Sequence, residues 1–145
     1  MTYLSTHFSL DELTHSEIAS RKGLDNTPND QEIANLTRLA KMLEAIRAIL
    51  GRPIYINSGF RSKAVNDLVG SKDSSQHRLG CAADIRVQGM TPDEVCRKII
   101  ASGLAYDQLI REFDAWTHIS VPNYEIDRPR RQALIIDKQG TRPFA

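Results

Sequence analysis

Hydrophobic positions along the chain fall into two periods, and the change from one to the other sets the expected fold. Leu36, Leu39, Leu43, Ile46 and Leu50 recur at helical spacing within "TPNDQEIANLTRLAKMLEAIRAILGRP". That stripe predicts a long amphipathic helix, with Thr27 as its cap, Pro28 at its first position and Gly51 and Pro53 at its end. Upstream, "HFSLDEL" offers Ser9 as an N-cap with Glu12 three residues on, and Phe8 is placed to pack onto Leu13. A short helix ending before Gly23 is expected there. "TPDEVCRKIIASG" repeats the logic, with Thr91 as cap, Pro92 next, Glu94 closing a capping box and Gly103 as the stop. "SKAVNDLVG" reads as one more short helix.

The other segments alternate with a period of two. "PIYINSGFRS" reads as a strand with Ile54 and Ile56 on one face, running into a glycine turn. "CAADIRV", "YDQLIREF", "AWTHISVP" and "RRQALIIDK" are further strand-like runs separated by turns. Helices dominate the first part and strands the second, without repeat, low-complexity tract or linker. The expectation is one α+β domain over residues 1–145, with helices packed on a small, largely antiparallel sheet.

Composition narrows the function classes. A chain of 145 residues with 41% apolar and 26% charged residues is long enough for one real core. A formal net charge of +1 gives no electrostatic case for nucleic acid or an anionic membrane. No run is long enough to span a bilayer, and no basic-apolar leader opens the sequence. A protein that is cytoplasmic as synthesised, and a monomer, is expected; release by lysis would leave no mark in the sequence. Cys81 and Cys96 do not form a CxxC pair and read as small buried hydrophobes.

One strand breaks its own pattern. In "CAADIRV", Ala83, Ile85 and Val87 share a face, and Asp84 stands opposite them. In "AWTHISV", Thr117, Ile119 and Val121 share a face, with Trp116, His118 and Ser120 opposite. A carboxylate on a central strand is costly to bury unless it is paired. His77 precedes Asp84 by seven residues, suited to a loop folding back onto the strand with Gly80 as the bend. Two histidines and a carboxylate are a familiar protein ligand set for catalytic zinc, with a fourth position left open. By residue type alone the same groups also suit a hydrogen-bonded His77–Asp84 pair steadying a turn and a satisfied core histidine at 118. His7 and His15 fall in the capped N-terminal segment and read as surface residues.

The motif around these residues weighs between the alternatives. "SQHRLGCAAD" resembles the S-x-H-x-x-G-x-A-x-D signature of the zinc D-Ala-D-Ala metallopeptidases, a family that includes D-alanyl-D-alanine carboxypeptidases and phage L-alanyl-D-glutamate endolysins and shares its fold with the hedgehog signalling domain. "SGFRS" is similar to the family's S-G-[YF]-R segment, and "WTHIS" to its W-x-H metal strand. The likeness runs over roughly residues 7–122. It implies Zn2+ as cofactor, held by His77, Asp84 and His118, with Ser75 lining the substrate pocket. Arg61 is implied to bind a peptide carboxylate or the developing oxyanion, a task suited to a fixed guanidinium fork; without the motif it would read as a surface arginine in a turn. The implied substrate is a peptidoglycan stem peptide, and the implied reaction a D-alanyl-D-alanine carboxypeptidase type. An L-alanyl-D-glutamate endopeptidase, of bacterial or phage origin, and a non-catalytic zinc-containing cell-wall-binding or virion module stand as the alternatives.

The sequence departs from the family at the general base, which many relatives carry as E-x-x-H or E-x-W-H. Here the nearest glutamate is Glu112, six residues before His118, with Asp114 between them. A hairpin would bring Glu112 to the site, and Asp114 reads as a turn residue with its own structural task. Glu112 is therefore taken as the catalytic base, with Asp114 as the alternative.

Overall fold

A computed structural model describes residues 2–144. Six strands form one sheet in the order β1-β2-β4-β3-β5-β6. They are β1 (Ile54–Ser58), β2 (Ala82–Val87), β3 (Gln108–Glu112), β4 (Trp116–Ser120), β5 (Gln132–Asp137) and β6 (Gly140–Pro143). Every pairing is antiparallel except β3 with β5. The α+β class and the largely antiparallel sheet agree with the sequence reading; β6 was not among its strands. The parallel pair arises because the segment after β4 crosses the start of β3 and enters the sheet on the other side.

The helices are α1 (Leu10–Thr14), α2 (Glu17–Lys22), α3 (Asp30–Leu50), α4 (Lys63–Leu68), α5 (Gln76–Leu79) and α6 (Pro92–Ser102). Both capping boxes expected at Ser9 and Thr91 are formed. Two boundaries differ from expectation. The N-terminal helix is split in two, because Ser16 caps a second helix that ends at Gly23 in the left-handed conformation. The long helix starts from Asn29, not Thr27: Asn29 and Glu32 close a reciprocal box, while the Thr27 hydroxyl is spent on Asp25.

Leu36, Leu39, Leu43 and Ile46 of α3 are fully buried, as are Ala83 and Ile85 of β2, Leu109 of β3 and Ile119 of β4. They join Val95, Cys96 and Ile99 of α6 in one core. Each buried leucine, isoleucine or valine among them contributes about 1.5–3 kcal/mol by leaving water. Cys81 and Cys96 are free and buried, and burial pushes the Cys96 thiol up to about 12, as suits an inert core residue. The core occupies one face of the sheet and leaves the opposite face to the residues that broke the apolar pattern.

Candidate metal centre

Strand register brings the first two residues together. Asp84 and His118 are Cα partners across β2 and β4, and so project from the same face of the sheet. The third comes from α5, which Ser75 caps through its hydroxyl and Gly80 ends at φ 79°. Gly80 cannot be replaced freely, since its φ is left-handed and a Cβ there would stand 2.8 Å from the Glu32 carbonyl oxygen. That turn folds α5 back against β2. An ion pair between Arg78 and Glu32 and a bond from Asn35 to the Leu79 carbonyl fix it to α3.

His77 Nε2 lies 3.3 Å from Asp84 Oδ1, and His118 Nδ1 lies 3.0 Å from the same oxygen. All three residues are nine-tenths or more buried. One donor atom from each lies within 4.8 Å of the others. A tetrahedral zinc with bonds of about 2.0–2.1 Å would set its donors about 3.3–3.4 Å apart, so the spacing fits such an ion. The outer contacts fit as well. His77 Nδ1 donates to the Gly59 carbonyl at 2.8 Å; a carbonyl only accepts, so this nitrogen carries the proton and Nε2 presents its lone pair to the cluster. Gly59 is itself confined, because a Cβ there would collide with the Leu13 carbonyl. Burial works against the charge of Asp84, but His77 and His118 together hold its carboxyl well below the usual range.

Glu112 closes β3 opposite Trp116, on the same face as Ile110, whose partner across the hairpin is His118. Its Oε1 lies 3.9 Å from His118 Nδ1. Burial, with the nearby Asp84 carboxylate, raises the Glu112 carboxyl above its ordinary value. Asp114 is turned elsewhere. Phe113 and Asp114 take left-handed conformations at φ 53° and 52°, and Asp114 pairs with Arg111 on the protein surface.

Arg61 follows β1. Its backbone N–H is held by the His77 carbonyl at 2.9 Å, and its Nη2 donates to Ser75 Oγ at 3.4 Å. Its Nε is buried without a hydrogen-bond partner. Burial lowers the pKa of the guanidinium, and Asp84 and Glu112 counter this by favouring its charge. All six residues singled out in the sequence thus converge on one region; His7 is exposed and bonded to Glu44, and His15, also exposed, is no member of the cluster but lines a cavity with Arg61. Beside it, over β3 and β4, opens a cleft of about 710 Å³ lined by Ser75, Gln76, Ile110, His118 and Arg128.

Sequence reading missed Asp107, which is 3% exposed. It accepts bonds from the Arg130 backbone N–H at 3.0 Å and from its guanidinium, the shortest from Nη2 at 2.7 Å, that fasten the β4–β5 crossover, and one from Gln76 Nε2 at 3.0 Å that reaches α5. Burial disfavours its charge, yet Arg130 and Gln76 hold its carboxyl below the ordinary range. A polar residue ahead of an apolar run was its only signal, and strand ends commonly carry one.

Fold and cluster together define an α+β domain with a candidate mononuclear metal centre. The family model for peptidase M15 matches residues 6–120. The chain therefore belongs to that family, the zinc D-Ala-D-Ala metallopeptidases. The match contains Arg61, His77, Asp84, Glu112 and His118 and ends before the crossover loop and β5. A search among curated proteins finds no match to the chain. No helix among the described residues is long and apolar enough to cross a membrane.

Proposed function

We propose that the protein is a zinc-dependent peptidase that hydrolyses peptide bonds of peptidoglycan stem peptides. The observation that carries this reading is the buried His77–Asp84–His118 cluster with Glu112 beside it at the edge of an open cleft. His77 Nε2, Asp84 Oδ1 and His118 Nδ1 would hold the zinc. Bound there, zinc would supply Lewis acidity, lowering the pKa of water and polarising the scissile carbonyl.

The remaining work falls to the chain. Glu112 is placed to take a proton from the attacking water at a carboxylate oxygen and to return it to the leaving amine. Its raised pKa suits both steps, since a base that must also act as an acid works best when its pKa lies nearer the working pH. General acid–base assistance of this kind contributes about 10²–10⁴ in rate. Arg61 directs fixed donors, one of them unpartnered, toward the oxyanion or a substrate carboxylate. Ser75 caps the helix that carries His77 and lines the cleft, so its hydroxyl serves both the turn and the substrate.

A guanidinium ready for a terminal carboxylate supports the D-alanyl-D-alanine carboxypeptidase type. The endopeptidase reading is supported by a second cavity, of about 490 Å³, on the Arg61 side of the cluster, which offers far more room than one alanine needs. Purified peptidoglycan incubated with the zinc-loaded protein, with the products weighed by mass spectrometry, tests both. Free D-alanine is the expected product of the first, and larger peptides with new amino termini are expected of the second. Intact peptidoglycan in the presence of stoichiometric bound zinc would overturn the peptidase reading.

A further inference from the structure

The sheet order places the candidate metal centre between two cavities. Asp84 on β2 has His118 of β4 as its partner on one side and Ser58 of β1 on the other. The large cleft opens over β4 and β3, while the second cavity opens over β1, lined by His15, Ile56 and Ser58 and by Arg21, Arg61 and Arg86. Arg61 bridges them, because its Nη2 reaches Ser75 on the rim of the large cleft.

The second cavity gathers several arginines on one concave surface. Elsewhere Arg78, Arg97, Arg111, Arg130 and Arg142 each form an ion pair with a carboxylate, and Arg38 and Arg52 bond to backbone carbonyls. Among the described residues, none of Arg21, Arg61 and Arg86 forms such an ion pair, although all three line one cavity. Arg86 spends its Nε on the neutral Asn57 side chain at 2.8 Å, and Arg61 spends Nη2 on a serine hydroxyl. Glu17 lies on the same rim but forms no ion pair with them. Asp84 and Glu112 lie near enough to offset the charge of Arg61, but Arg21 and Arg86, with Glu17 as the one acid on the lining, leave a positive field there. Walls of low polarisability focus such a field on whatever enters.

We infer that the cavity over β1 is an anion-accepting subsite, in which Arg21 and Arg86 receive a carboxylate that the substrate carries on that side of the metal centre. The inference rests on the peptidase reading for the identity of the ligand but on different residues. A guanidinium grips a carboxylate through paired donors of fixed geometry, so the subsite selects charge as well as position. A stem peptide with free carboxylates would then span the sheet, from the cleft over β3 and β4 to the arginines over β1. The same peptide with its carboxylates amidated keeps its shape and loses what Arg21 and Arg86 recognise.

The test measures binding, so that it stands apart from turnover. Zinc-loaded Glu112→Gln protein is titrated calorimetrically with a stem tetrapeptide carrying free carboxylates and with a counterpart amidated at every carboxylate except the C-terminal one, which is left for Arg61. The acidic peptide should bind about tenfold more tightly, the scale of one charge-assisted contact. Combining Arg21→Met with Arg86→Met should remove most of that difference while Arg61 remains, with zinc content and melting temperature unchanged. Arg21→Lys with Arg86→Lys, which retains the charges, should keep part of it. An equal preference before and after the methionine substitutions, or no preference at all, overturns the subsite. If native protein hydrolyses neither peptide while the methionine substitutions still abolish the preference, the peptidase reading fails and the subsite stands.

Discussion

The two faces of β2 and β4 are made by alternate residues of the same two strands and obey opposite rules. On one face Ala83, Ile85 and Ile119 are fully buried in the apolar core with residues of α3 and α6. On the other, Asp84 and His118 sit one residue away, nearly as removed from water, and are tolerable because they satisfy one another and His77. The first face gains stability from burial. The second gives some of it up, holding polar groups in fixed positions without solvent, which is what a preorganised reaction centre requires. A substitution should therefore reveal its face by what it damages.

The largest effect is expected at Asp84. Asp84→Ala removes the oxygen that both histidines approach and leaves them to hold a metal alone. Bound zinc should fall from about one per chain to a small fraction, and hydrolysis should fall to background. Elemental analysis after gel filtration, beside an activity assay, checks this; full zinc occupancy in the variant would show that the cluster is a structural hydrogen-bonded group.

Glu112→Gln should separate chemistry from metal binding. Hydrolysis is expected to drop by about 10²–10⁴ with zinc content unchanged, whereas the matched change Asp114→Asn should retain activity. A melting curve adds a second reading. Because the Glu112 carboxyl is raised in the folded protein, folded chains hold that proton more tightly than unfolded ones, so stability falls as pH rises through the folded value. Metal-free Glu112→Gln should accordingly melt slightly above the metal-free parent at neutral pH, and the gap should close below the ordinary glutamate value of about 4.3. An active Glu112→Gln beside an inactive Asp114→Asn would move the base to the turn.

The smallest functional effect is expected from the other face. Ile119→Ala, one position from His118, should cost about 2–5 kcal/mol of stability through lost burial and the cavity left behind. Turnover per folded, zinc-loaded molecule should stay within a few-fold of the parent. Denaturant unfolding and active-site titration measure the two separately. A large loss of turnover in the folded fraction would show that the faces are coupled and that the strand backbone itself moves with the core.

The elements and the chemistry were legible to different degrees for physical reasons that particular residues show. Asp84 and His118 stood out because a strand's two-residue period makes a charged intruder visible, and that same period put them on the face away from Ile85 and Ile119. Ser9, Thr91 and the stripe from Leu36 to Leu50 announced helices because caps and apolar spacing act within a few residues of one another. The choice at Asn29 over Thr27 was less legible, since both offer an acceptor and only the reciprocal bond with Glu32 decides.

What the chain could not state locally was which strands become neighbours. That β2 pairs with β4, that β5 crosses to run parallel with β3, and that Arg21, Arg61 and Arg86 meet around one cavity are results of long-range closure. Asp107 shows the same limit: its partners Gln76 and Arg130 lie 31 and 23 residues away, and no local pattern marks them. Periodicity and caps are set by neighbours along the backbone, so the sequence by itself determined most element types and the residue kinds of the candidate centre, though not the short helix α5 under His77 or the strand β6. Distances between donor atoms, the turn of Asp114 away from the site and the second cavity depend on how elements far apart in the chain pack together, and only the tertiary structure decided them.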